Sequence, residues 1–474
     1  MKISSLGVVV HKTVSVCPVC LENIGASVVL RSDEYFFKKK CPEHGAFSTV
    51  VWRGKSPSYE QWGAGYTPRD VKSDCPRGCG LCSRHLQKTC CALVEVTRRC
   101  NLSCPICFAE SISGHFASGS GKAAHSAHFG QLRDSGRNST SKLGVQSSLN
   151  LPPDLSGGDA ELPVGELFEI FKSLAAKGNT FVQLSGGEPT VRDDLPEIIA
   201  AARAAGCENI QLNSNGIRLG SEPLYTKKLK DAGLSFVFMQ FDGTRDDAYL
   251  KLRGEALLDV KCAAIDICGE NLIGVTLVPT VVPGVNDDNI GDIIKFGLER
   301  SPAVRGVHFQ PVSYFGRYPH EPSNEDRITL PEILRAIEVQ TNRKFSMSDF
   351  VPSACDHPRC GFHGDFVVLP GSRVMKLTKR ASSSCCDDDD AHLKNRKFVA
   401  RRWKRAEDVG KAVGKDADFQ DMDTFLSRVK SHGFTITAMA FQDAYNLDLE
   451  RLRRCSLHVA QGGRLIPFCA NYLD

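Results

Sequence analysis

Short apolar runs alternate along the middle of the chain with longer segments in which apolar residues recur every three or four positions. The short runs predict buried strands and the longer segments predict amphipathic helices, because these are the two periods of regular structure. Several helical segments end in glycine, a residue that commonly stops a helix. The predicted strands are 92–96, 181–184, 209–213, 235–240, 272–278 and 306–311. The predicted helices are 164–178, 195–206, 222–233, 255–269 and 289–300.

Strands that alternate with helices predict an α/β fold built on a parallel sheet. Six such units are too few for a closed eightfold barrel, so we expect an open, partial (β/α)6 TIM-like barrel at 90–315. Cysteine-rich extensions at 1–89 and 316–474 flank it and are expected to be separate domains. The second extension begins with a predicted helix at 330–340 and ends with a strand, a helix and a hairpin that turns at Gly462-Gly463.

Residues 111–162 interrupt the alternation after the first strand. This insert is rich in Ser, Gly and His with few aliphatic residues, a composition typical of a disordered surface loop. Its histidines, including His115, therefore have no fixed geometry for a metal. The acidic run 387–390 and the basic run 394–405 are expected to be solvated faces or linkers, and the basic run is alternatively a patch for an anionic substrate.

Composition excludes some classes of function. The chain has 474 residues, a net charge of +4 and 42% hydrophobic residues, which indicates a globular protein with no strong attraction to nucleic acid. The N-terminal apolar run is too short for a signal peptide and no segment is apolar enough to span a bilayer, so we expect a cytoplasmic protein. Its 20 cysteines, grouped as C-x2-C and C-x3-C-x2-C, predict metal sites and not disulfides.

One of these groups, Cys100, Cys104 and Cys107, directly follows the first predicted strand. Iron–sulfur clusters usually have four cysteine ligands, and this loop offers three. Zinc in a structural knuckle is the alternative, but zinc also favours four ligands. The later strands end in polar residues, at the edge where such barrels carry their active sites. These residues are Gly186-Gly187-Glu188-Pro189, Asn213-Ser214-Asn215, Gln240 with Asp242, and Gln310.

With the Gly-Gly-Glu-Pro segment on the second strand, the three-cysteine loop resembles the radical S-adenosylmethionine (SAM) superfamily. The resemblance implies that the three cysteines hold three irons of a [4Fe–4S] cluster, and that the amine and carboxylate of SAM chelate the fourth iron. Reductive cleavage of SAM then yields a 5′-deoxyadenosyl radical. The glycine pair would let the backbone approach SAM closely, and Glu188 would accept a hydrogen bond from its amino group. The other polar strand ends would bind its ribose or carboxylate.

Further cysteines predict an auxiliary cluster upstream of this loop. Cys75, Cys79 and Cys82 repeat the C-x3-C-x2-C spacing, but no barrel strand precedes them. A fourth ligand would be Cys90 or Cys91, which are both near in sequence. The cysteines on helix-like stretches are instead expected to be core residues. They are Cys207, Cys262 and Cys268.

Two other groups lie near the ends of the chain. The first has zinc-ribbon spacing and suits zinc or a single iron, with its histidine alternatively only a cap of the loop. It is made of Cys17, Cys20, Cys41 and His44. The second is far-separated in sequence and predicts a third cluster that ties the tail to the barrel. It is made of Cys355, Cys360, Cys455 and Cys469.

A wider resemblance narrows the family. CPVC…CPEHG, CPRGCGLC, LSGGEPTVRDDLPEII, IQLNSNGIRL, LVPTVVPGVND, VRGVHFQPVSYFGR and the terminal RLIPFC resemble the archaeal tetraether lipid synthases. Those enzymes are close to the class D radical SAM methyltransferases of pterin biosynthesis. The resemblance implies auxiliary clusters, a mononuclear metal near the N-terminus, hydrogen abstraction from an unactivated sp3 carbon and formation of a carbon–carbon bond.

Three functions follow from these patterns. The leading expectation is a synthase that couples lipid alkyl chains, and the alternative is a methyltransferase that acts on a pterin or a similar heterocycle. A non-enzymatic iron–sulfur electron carrier would not explain a three-cysteine loop beside Gly-Gly-Glu-Pro. Either enzyme needs an electron donor such as ferredoxin or flavodoxin, and a lipid substrate would bring peripheral contact with a membrane. A lipid requires an apolar tunnel, whereas a pterin requires a flat polar slot.

Overall fold

A computed structural model describes residues 7–62, 75–76, 81, 85–109, 111–113, 161–353, 355–378, 391–405 and 422–473. Several sequence predictions lie outside these residues. They concern most of the insert, its three histidines, Cys79, Cys82 and the acidic run 387–390.

The N-terminal extension is a four-stranded antiparallel sheet in the order β1-β2-β3-β4. Its inner face carries Phe37 and Trp52, which are almost fully buried and belong to the main hydrophobic core. Arg53 also donates hydrogen bonds to the carbonyls of Arg327 and Asn324, so the sheet is attached to the rest of the fold. The elements are β1 (Val8–Val16), β2 (Asn23–Arg31), β3 (Glu34–Cys41), β4 (Gly45–Arg53) and the short helix α1 (Tyr59–Trp62).

The barrel region has the predicted alternation of strands and helices. Each of the six predicted strands is present with ends within two residues of the prediction. Its strands are β5 (Cys91–Thr97), β6 (Arg99–Cys100), β7 (Ile112–Ser113), β8 (Phe181–Gly186), β9 (Asn209–Ser214), β10 (Phe236–Gln240), β11 (Gly274–Val278), β12 (Thr280–Val281) and β13 (Val304–Pro311). Its helices are α2 (Val164–Ala176), α3 (Leu195–Ala204), α4 (Ile217–Ser221), α5 (Pro223–Asp231), α6 (Asp246–Arg253), α7 (Leu258–Glu270) and α8 (Ile290–Glu299).

The main barrel strands pair in parallel, in the order β5-β8-β9-β10-β11-β13. Residues that alternate along each strand, such as Val182 and Leu184, are fully buried between the sheet and the helices. The intervening residues face the interior of the curved sheet. Because parallel strands end at one edge, the loops that follow β5, β8, β9 and β10 lie together there. The predicted partial α/β barrel is confirmed.

Two strands of the C-terminal extension enlarge this same sheet. β17 pairs in parallel with β13, and β18 pairs in parallel with β5. The predicted helix at 330–340 and the hairpin at Gly462-Gly463 are confirmed. The elements are α9 (Leu330–Gln340), β14 (Val351–Pro352), β15 (Gly361–Val368), β16 (Val374–Lys376), α10 (Ala391–Trp403), α11 (Met422–Ser431), β17 (Gly433–Met439), α12 (Leu449–Leu452), β18 (Leu457–Gln461), β19 (Arg464–Pro467) and α13 (Phe468–Asn471).

Helix α10 corrects part of the prediction for the basic run 394–405, which is not a linker. One side of the helix is buried, and Lys394, Lys397 and Arg401 form the expected solvated face. Val399 and Trp403 of this helix pack against Cys91, Phe181 and Phe236 at the amino ends of the strands. Two arginines of α10 bind neighbouring groups: Arg396 donates to the carbonyls of Thr89 and Cys90, and Arg402 pairs with Asp365. The helix therefore closes one end of the barrel. Within the described residues, no helix is both long and apolar enough to cross a membrane.

Candidate active site and metal centres

A cavity of about 330 Å³ runs from the Cys100 loop into the interior of the barrel. It brings together most of the residues that the sequence predicted at the strand ends. They are Cys100, Cys104, Cys107, Gly186, Gly187, Glu188, Asn213, Ser214, Asn215, Gln240 and Gln310. Cys90, from the start of the first barrel strand, lines the same cavity.

Backbone contacts fix the three-cysteine loop. Cys107 exchanges two hydrogen bonds with Arg317, at 2.9 and 3.0 Å, and the Arg317 side chain donates to the carbonyl of Cys104 at 3.0 Å. Cys100 lies in β6, which pairs with β7. Burial raises the pKa of Cys100 to about 12, so its thiol is protonated when no metal is bound. Metal binding must therefore release a proton from this residue.

The spread of the three thiols distinguishes a cluster from a single ion. Among the described residues, one group of Cys, His, Asp or Glu has all its ligand atoms within 4.8 Å of one another, and it is not this loop. Ligands of one tetrahedral zinc would have to converge in that way, since each lies about 2.3 Å from the ion. Three thiols that border a common cavity, two of them buried and that of Cys107 half-buried, fit a larger iron–sulfur group.

The glycine pair is required by the protein's own backbone. The Gly187 and Glu188 N–H groups donate to the carbonyls of Thr97 and Arg99 at 2.9 and 2.8 Å. A Cβ on Gly187 would lie 2.1 Å from the carbonyl oxygen of Arg99, the residue before Cys100. Gly186 has a φ of +133°, which side chains rarely adopt. The pair thus seats the cysteine loop against strand β8, and Pro189 begins a short 3-10 turn after it.

Glu188 is a buried carboxylate with several donors of its own. Its Oε1 accepts hydrogen bonds from Thr190 Oγ1 at 2.6 Å and Ser214 Oγ at 2.8 Å. Its Oε2 accepts from the Asn215 N–H at 2.6 Å, which leaves that oxygen acceptor capacity toward the cavity. Burial raises the pKa of Glu188, and the donated hydrogen bonds oppose that shift. Asn215 also donates to Asn101 Oδ1 at 2.7 Å, beside Cys100.

Arg253 is a residue of this site that the sequence reasoning missed. It lines the cavity from the last turn of α6, and its guanidinium forms a bidentate pair with Asp242 at 2.7 and 2.8 Å. It also hydrogen-bonds the Cys104 thiol, a contact that lowers the pKa of Cys104 against the stronger upward effect of burial. Asp242 itself is fully buried behind Arg253, so it acts on the cavity through the arginine. The only sequence feature that could have identified Arg253 is its position just before Gly254, a glycine that ends a helix.

The N-terminal ligand group converges as predicted. Cys17, Cys20, Cys41 and His44 have their ligand atoms within 4.8 Å of one another. The His44 Nδ1 lies 3.4 Å from the Cys41 sulfur and 3.7 Å from the Cys17 sulfur, so the histidine belongs to the set. These residues fit one tetrahedral ion.

The structure divides the four predicted C-terminal cysteines. Cys355 lies beside Cys90, and a hydrogen bond between these thiols lowers the pKa of Cys90. Burial raises the pKa of Cys455 well above its usual value, and the nearby groups of Cys469 and Cys360 raise it further. Among the described residues, these contacts link Cys355 to Cys90, and Cys455 to Cys469 and Cys360.

A half-buried arginine and an apolar cluster lie beside the group formed by Cys360, Cys455 and Cys469. Arg451 Nη2 donates to the Cys360 sulfur at 3.5 Å. Cys75 packs in the same hydrophobic cluster as Cys469. Three further cysteines were expected to be core residues. Cys207 and Cys268 are buried in the core, whereas Cys262 is half-buried.

Comparisons with known proteins agree with this geometry. Residues 94–297 match the Radical SAM superfamily, and residues 9–53 match the HMPTM N-terminal zinc ribbon domain. The chain is 33% identical to a 7,8-dihydro-6-hydroxymethylpterin dimethyltransferase of Methanocaldococcus jannaschii, over 97% of this chain and 92% of that protein. It is 28% identical to an Fe-coproporphyrin III synthase of Methanosarcina barkeri, over 56% of each chain. A solved structure, Streptococcus suis SuiB bound to S-adenosylmethionine, aligns with a TM-score of 0.35 and 12% identity, over 54% of this chain and 48% of that chain.

Proposed function

Because the chain belongs to the 7,8-dihydro-6-hydroxymethylpterin dimethyltransferase family of the radical SAM superfamily, we propose that it methylates a carbon of a pterin or a similar flat heterocycle. The match extends along nearly the whole chain, including the N-terminal ribbon. It therefore supports the methyltransferase alternative over the coupling of lipid chains, which was the leading expectation from sequence.

Polar side chains set among the aliphatic and aromatic residues that form most of the cavity wall carry this proposal. Five amide or imidazole side chains from four different strands line the interior: Gln183, Asn213, Gln240, His308 and Gln310. Asn213 and His308 have protein partners for one side-chain atom each. Packing alkyl chains against the remaining polar atoms would cost about 1–3 kcal/mol for each atom left without a partner. A heterocycle with ring nitrogens and amino groups would satisfy them. A volume of about 330 Å³ is also in the range of small-molecule sites.

The residues of the site have separate tasks in this proposal. Cys100, Cys104 and Cys107 would hold a [4Fe–4S] cluster, which with SAM supplies a 5′-deoxyadenosyl radical when bound. The glycine pair seats the cysteine loop, and the free acceptor capacity of Glu188 Oε2 suits an amino group. The walls of the barrel exclude water and hold the substrate. An electron donor such as ferredoxin or flavodoxin would supply the reducing electron.

We also propose two auxiliary groups from these further thiols. Cys90 and Cys355 would belong to one, and Cys360, Cys455 and Cys469 to the other. Arg451 beside Cys360 would offset the negative charge of the thiolates, because a buried charge requires a partner. The N-terminal ribbon would hold zinc or a single iron.

The release of 5′-deoxyadenosine tests the proposed substrate. The anaerobically reconstituted protein is incubated with SAM and a reductant, with either 7,8-dihydro-6-hydroxymethylpterin or an archaeal diether lipid. We expect the pterin to stimulate the release of 5′-deoxyadenosine and to disappear with turnover. The matched control is Cys262→Ala, a cysteine change outside the site that should leave both measurements unchanged. Stimulation by the lipid, with none by the pterin, would contradict the proposal.

A further inference from the structure

Below the cysteine loop, the cavity descends to a second group of side chains near the middle of the barrel. Gln183 of β8, Phe238 of β10 and His308 of β13 line it there, and Trp403 of α10 closes it beneath them. We call these four residues the lumen site. None of them is a predicted ligand of iron or SAM, and they lie on the side of the cavity away from the ends of the strands.

The alternation of the strands places these side chains inside the barrel. On β10, Val237 and Met239 are fully buried in the core between sheet and helices, so Phe238 between them faces inward. On β13, Val307 and Phe309 are buried in the same way on either side of His308. Successive residues of a strand point to opposite faces, and the lumen site is therefore fixed by rigid elements.

His308 has one ring nitrogen committed to the protein. Its Nδ1 lies 2.7 Å from Thr437 Oγ1, and the Thr437 hydroxyl is within 3.5 Å of the Val307 carbonyl, to which it donates. The imidazole Nδ1–H then donates to Thr437, and Nε2 becomes a hydrogen-bond acceptor. Burial lowers the pKa of His308 to about 4, so the ring is neutral. Among the residues that the structure describes, Nε2 has no partner.

Two other buried polar atoms of the inner wall are also without partners. Within the described chain, Gln211 Oε1 and Thr276 Oγ1 make no hydrogen bond. Gln211 is paired in register with Gln183, and Thr276 is paired in register with Phe238. Neither residue lines the cavity, so these two atoms are buried within the barrel wall, whereas His308, whose Nε2 is unpaired among the described residues, does line it.

The same region offers an aromatic surface. The Phe238 ring centroid is 4.5 Å from that of Trp403 and 5.5 Å from that of His308. Trp403 is held in place by its Nε1–H, which donates to Thr435 Oγ1 at 3.0 Å. Aromatic rings favour flat partners in offset or edge contact, so the wall is matched to a planar ring.

We propose that the lumen site binds the substrate heterocycle, with Phe238 as its stacking surface and His308 as the residue that determines specificity by accepting a ring or amino N–H. This inference rests on the proposed function and adds to it the residues that recognise the substrate. The polar middle of the barrel would then hold the pterin ring below the SAM-binding mouth. Substrates without an N–H at that position would leave His308 Nε2 unpaired, and a site built for a hydrogen bond discriminates against them.

Equilibrium binding of 7,8-dihydro-6-hydroxymethylpterin to the reconstituted, SAM-loaded full chain tests this inference. His308→Leu removes the acceptor and should weaken binding about tenfold. His308→Gln restores an acceptor and should recover most of that loss, which a merely structural role of the ring would not do. Phe238→Leu removes the stacking surface and is a second, independent variant. His320→Leu, whose histidine side chain is 62% exposed, is the matched control.

Iron content and SAM cleavage are measured on every variant to establish that the cluster loop is intact. Weaker pterin binding by His308→Leu and Phe238→Leu, with iron and SAM cleavage unchanged, supports the inference. If the wild type binds the pterin and both variants bind it equally well, the lumen site is not the substrate site, although the proposed function stands. If the wild type binds no pterin, the proposed function fails and this inference fails with it.

Discussion

The N-terminal ribbon and the Cys100 loop are both cysteine groups, but their ligand atoms are arranged differently. In the N-terminal ribbon, four ligand atoms already lie within 4.8 Å of one another. In the Cys100 loop, three thiols border a cavity and do not converge to within that distance. The ribbon is therefore shaped for one ion. The loop leaves space for a larger group and for a molecule bound beside it.

The difference arises from how each group is held. The ribbon ligands come from two turns of one antiparallel sheet, where the pairing of Cys41 with Gly45 fixes the positions of the turns. The loop is instead held by residues far away in sequence, including Arg317, Gly187 and Asn215. A metal site built from local hairpins can be identified from spacing alone. A site supported by several strands depends on the whole barrel, and perturbations at a distance should weaken it.

The largest expected effect separates the two groups directly. Replacing Cys100, Cys104 and Cys107 together with Ala should abolish SAM cleavage and remove about four irons per chain, while the ribbon ion remains. Metal analysis and 5′-deoxyadenosine release measure both consequences. If the triple variant still cleaves SAM, another cysteine group must hold the cluster that binds SAM.

The reciprocal change is Cys41→Ala in the ribbon. Loss of one ligand should release the mononuclear ion and loosen strands β3 and β4, because structural metal sites contribute to folding stability. SAM cleavage should continue, since its thiols lie elsewhere. Metal analysis, limited proteolysis of the ribbon and SAM cleavage provide the comparison. Loss of SAM cleavage in proportion to the ribbon ion would show that the two sites are one unit.

Gly187→Ala tests the dependence of the loop on its support. The new Cβ would meet the Arg99 carbonyl oxygen at 2.1 Å, so the backbone next to Cys100 must shift. We expect reduced iron loading of the loop and a loss of SAM cleavage of about tenfold or more. Gly165→Ala is the control, because a Cβ there has nothing within 4 Å. Equal iron content in the two variants would mean that the glycine serves only the ligand.

Arg253→Gln should have a smaller, electronic effect. Removing the cation and the hydrogen bond to Cys104 should make the cluster harder to reduce, since hydrogen bonds and charge near the sulfurs set its potential. We expect a midpoint potential about 60 mV more negative, which corresponds to a tenfold change in a one-electron equilibrium. A redox titration followed by electron paramagnetic resonance measures it. Arg245→Gln, a surface arginine paired with Asp288, should leave the potential unchanged.

The smallest effect concerns the contact between the ribbon and the tail. His11 Nε2 donates a hydrogen bond to Glu450 Oε2, 2.9 Å away, and this bond raises the pKa of His11 above its ordinary value of 6.5. This pair therefore contributes stability that is complete below about pH 6.5 and is lost as the pH rises through the higher folded pKa. We expect about 1 kcal/mol or less, and His11→Gln should flatten this part of the profile. Thermal unfolding between pH 5 and 9 measures the difference, and identical profiles would show that the pair contributes nothing.

Sequence patterns predicted those strands and helices of the barrel region that are determined by local apolar periodicity. The strand around Phe238 and the helix Leu330–Gln340 have strong apolar periods and clear ends, and both are present. Helix α10 was missed because its surface is largely cationic, and its few apolar residues, such as Trp403, are apolar only for tertiary reasons. The joining of β17 and β18 to the barrel sheet likewise depends on long-range pairing that no short pattern contains.

Residues of the site with a characteristic spacing were predictable, whereas contacts between residues far apart in sequence were not. The cysteine loop, the glycine pair and the ribbon ligands have characteristic spacings, and the structure groups them as expected. The contact of Cys355 with Cys90 was not predicted, because spacing cannot indicate that the chain brings these two residues together. Arg253 was missed for a similar reason, since its meaning depends on Asp242 and Cys104 in three dimensions.

Product analysis by high-resolution mass spectrometry tests the central claim most directly. The reconstituted protein is incubated anaerobically with SAM, a reductant, a cell extract as the source of any further small cofactor, and 7,8-dihydro-6-hydroxymethylpterin. We predict a pterin whose mass has increased by one or two methyl groups, with the new groups attached to carbon, and no such product from the variant that lacks Cys100, Cys104 and Cys107. An unchanged pterin, together with coupled alkyl chains when a diether lipid is supplied instead, would contradict the account.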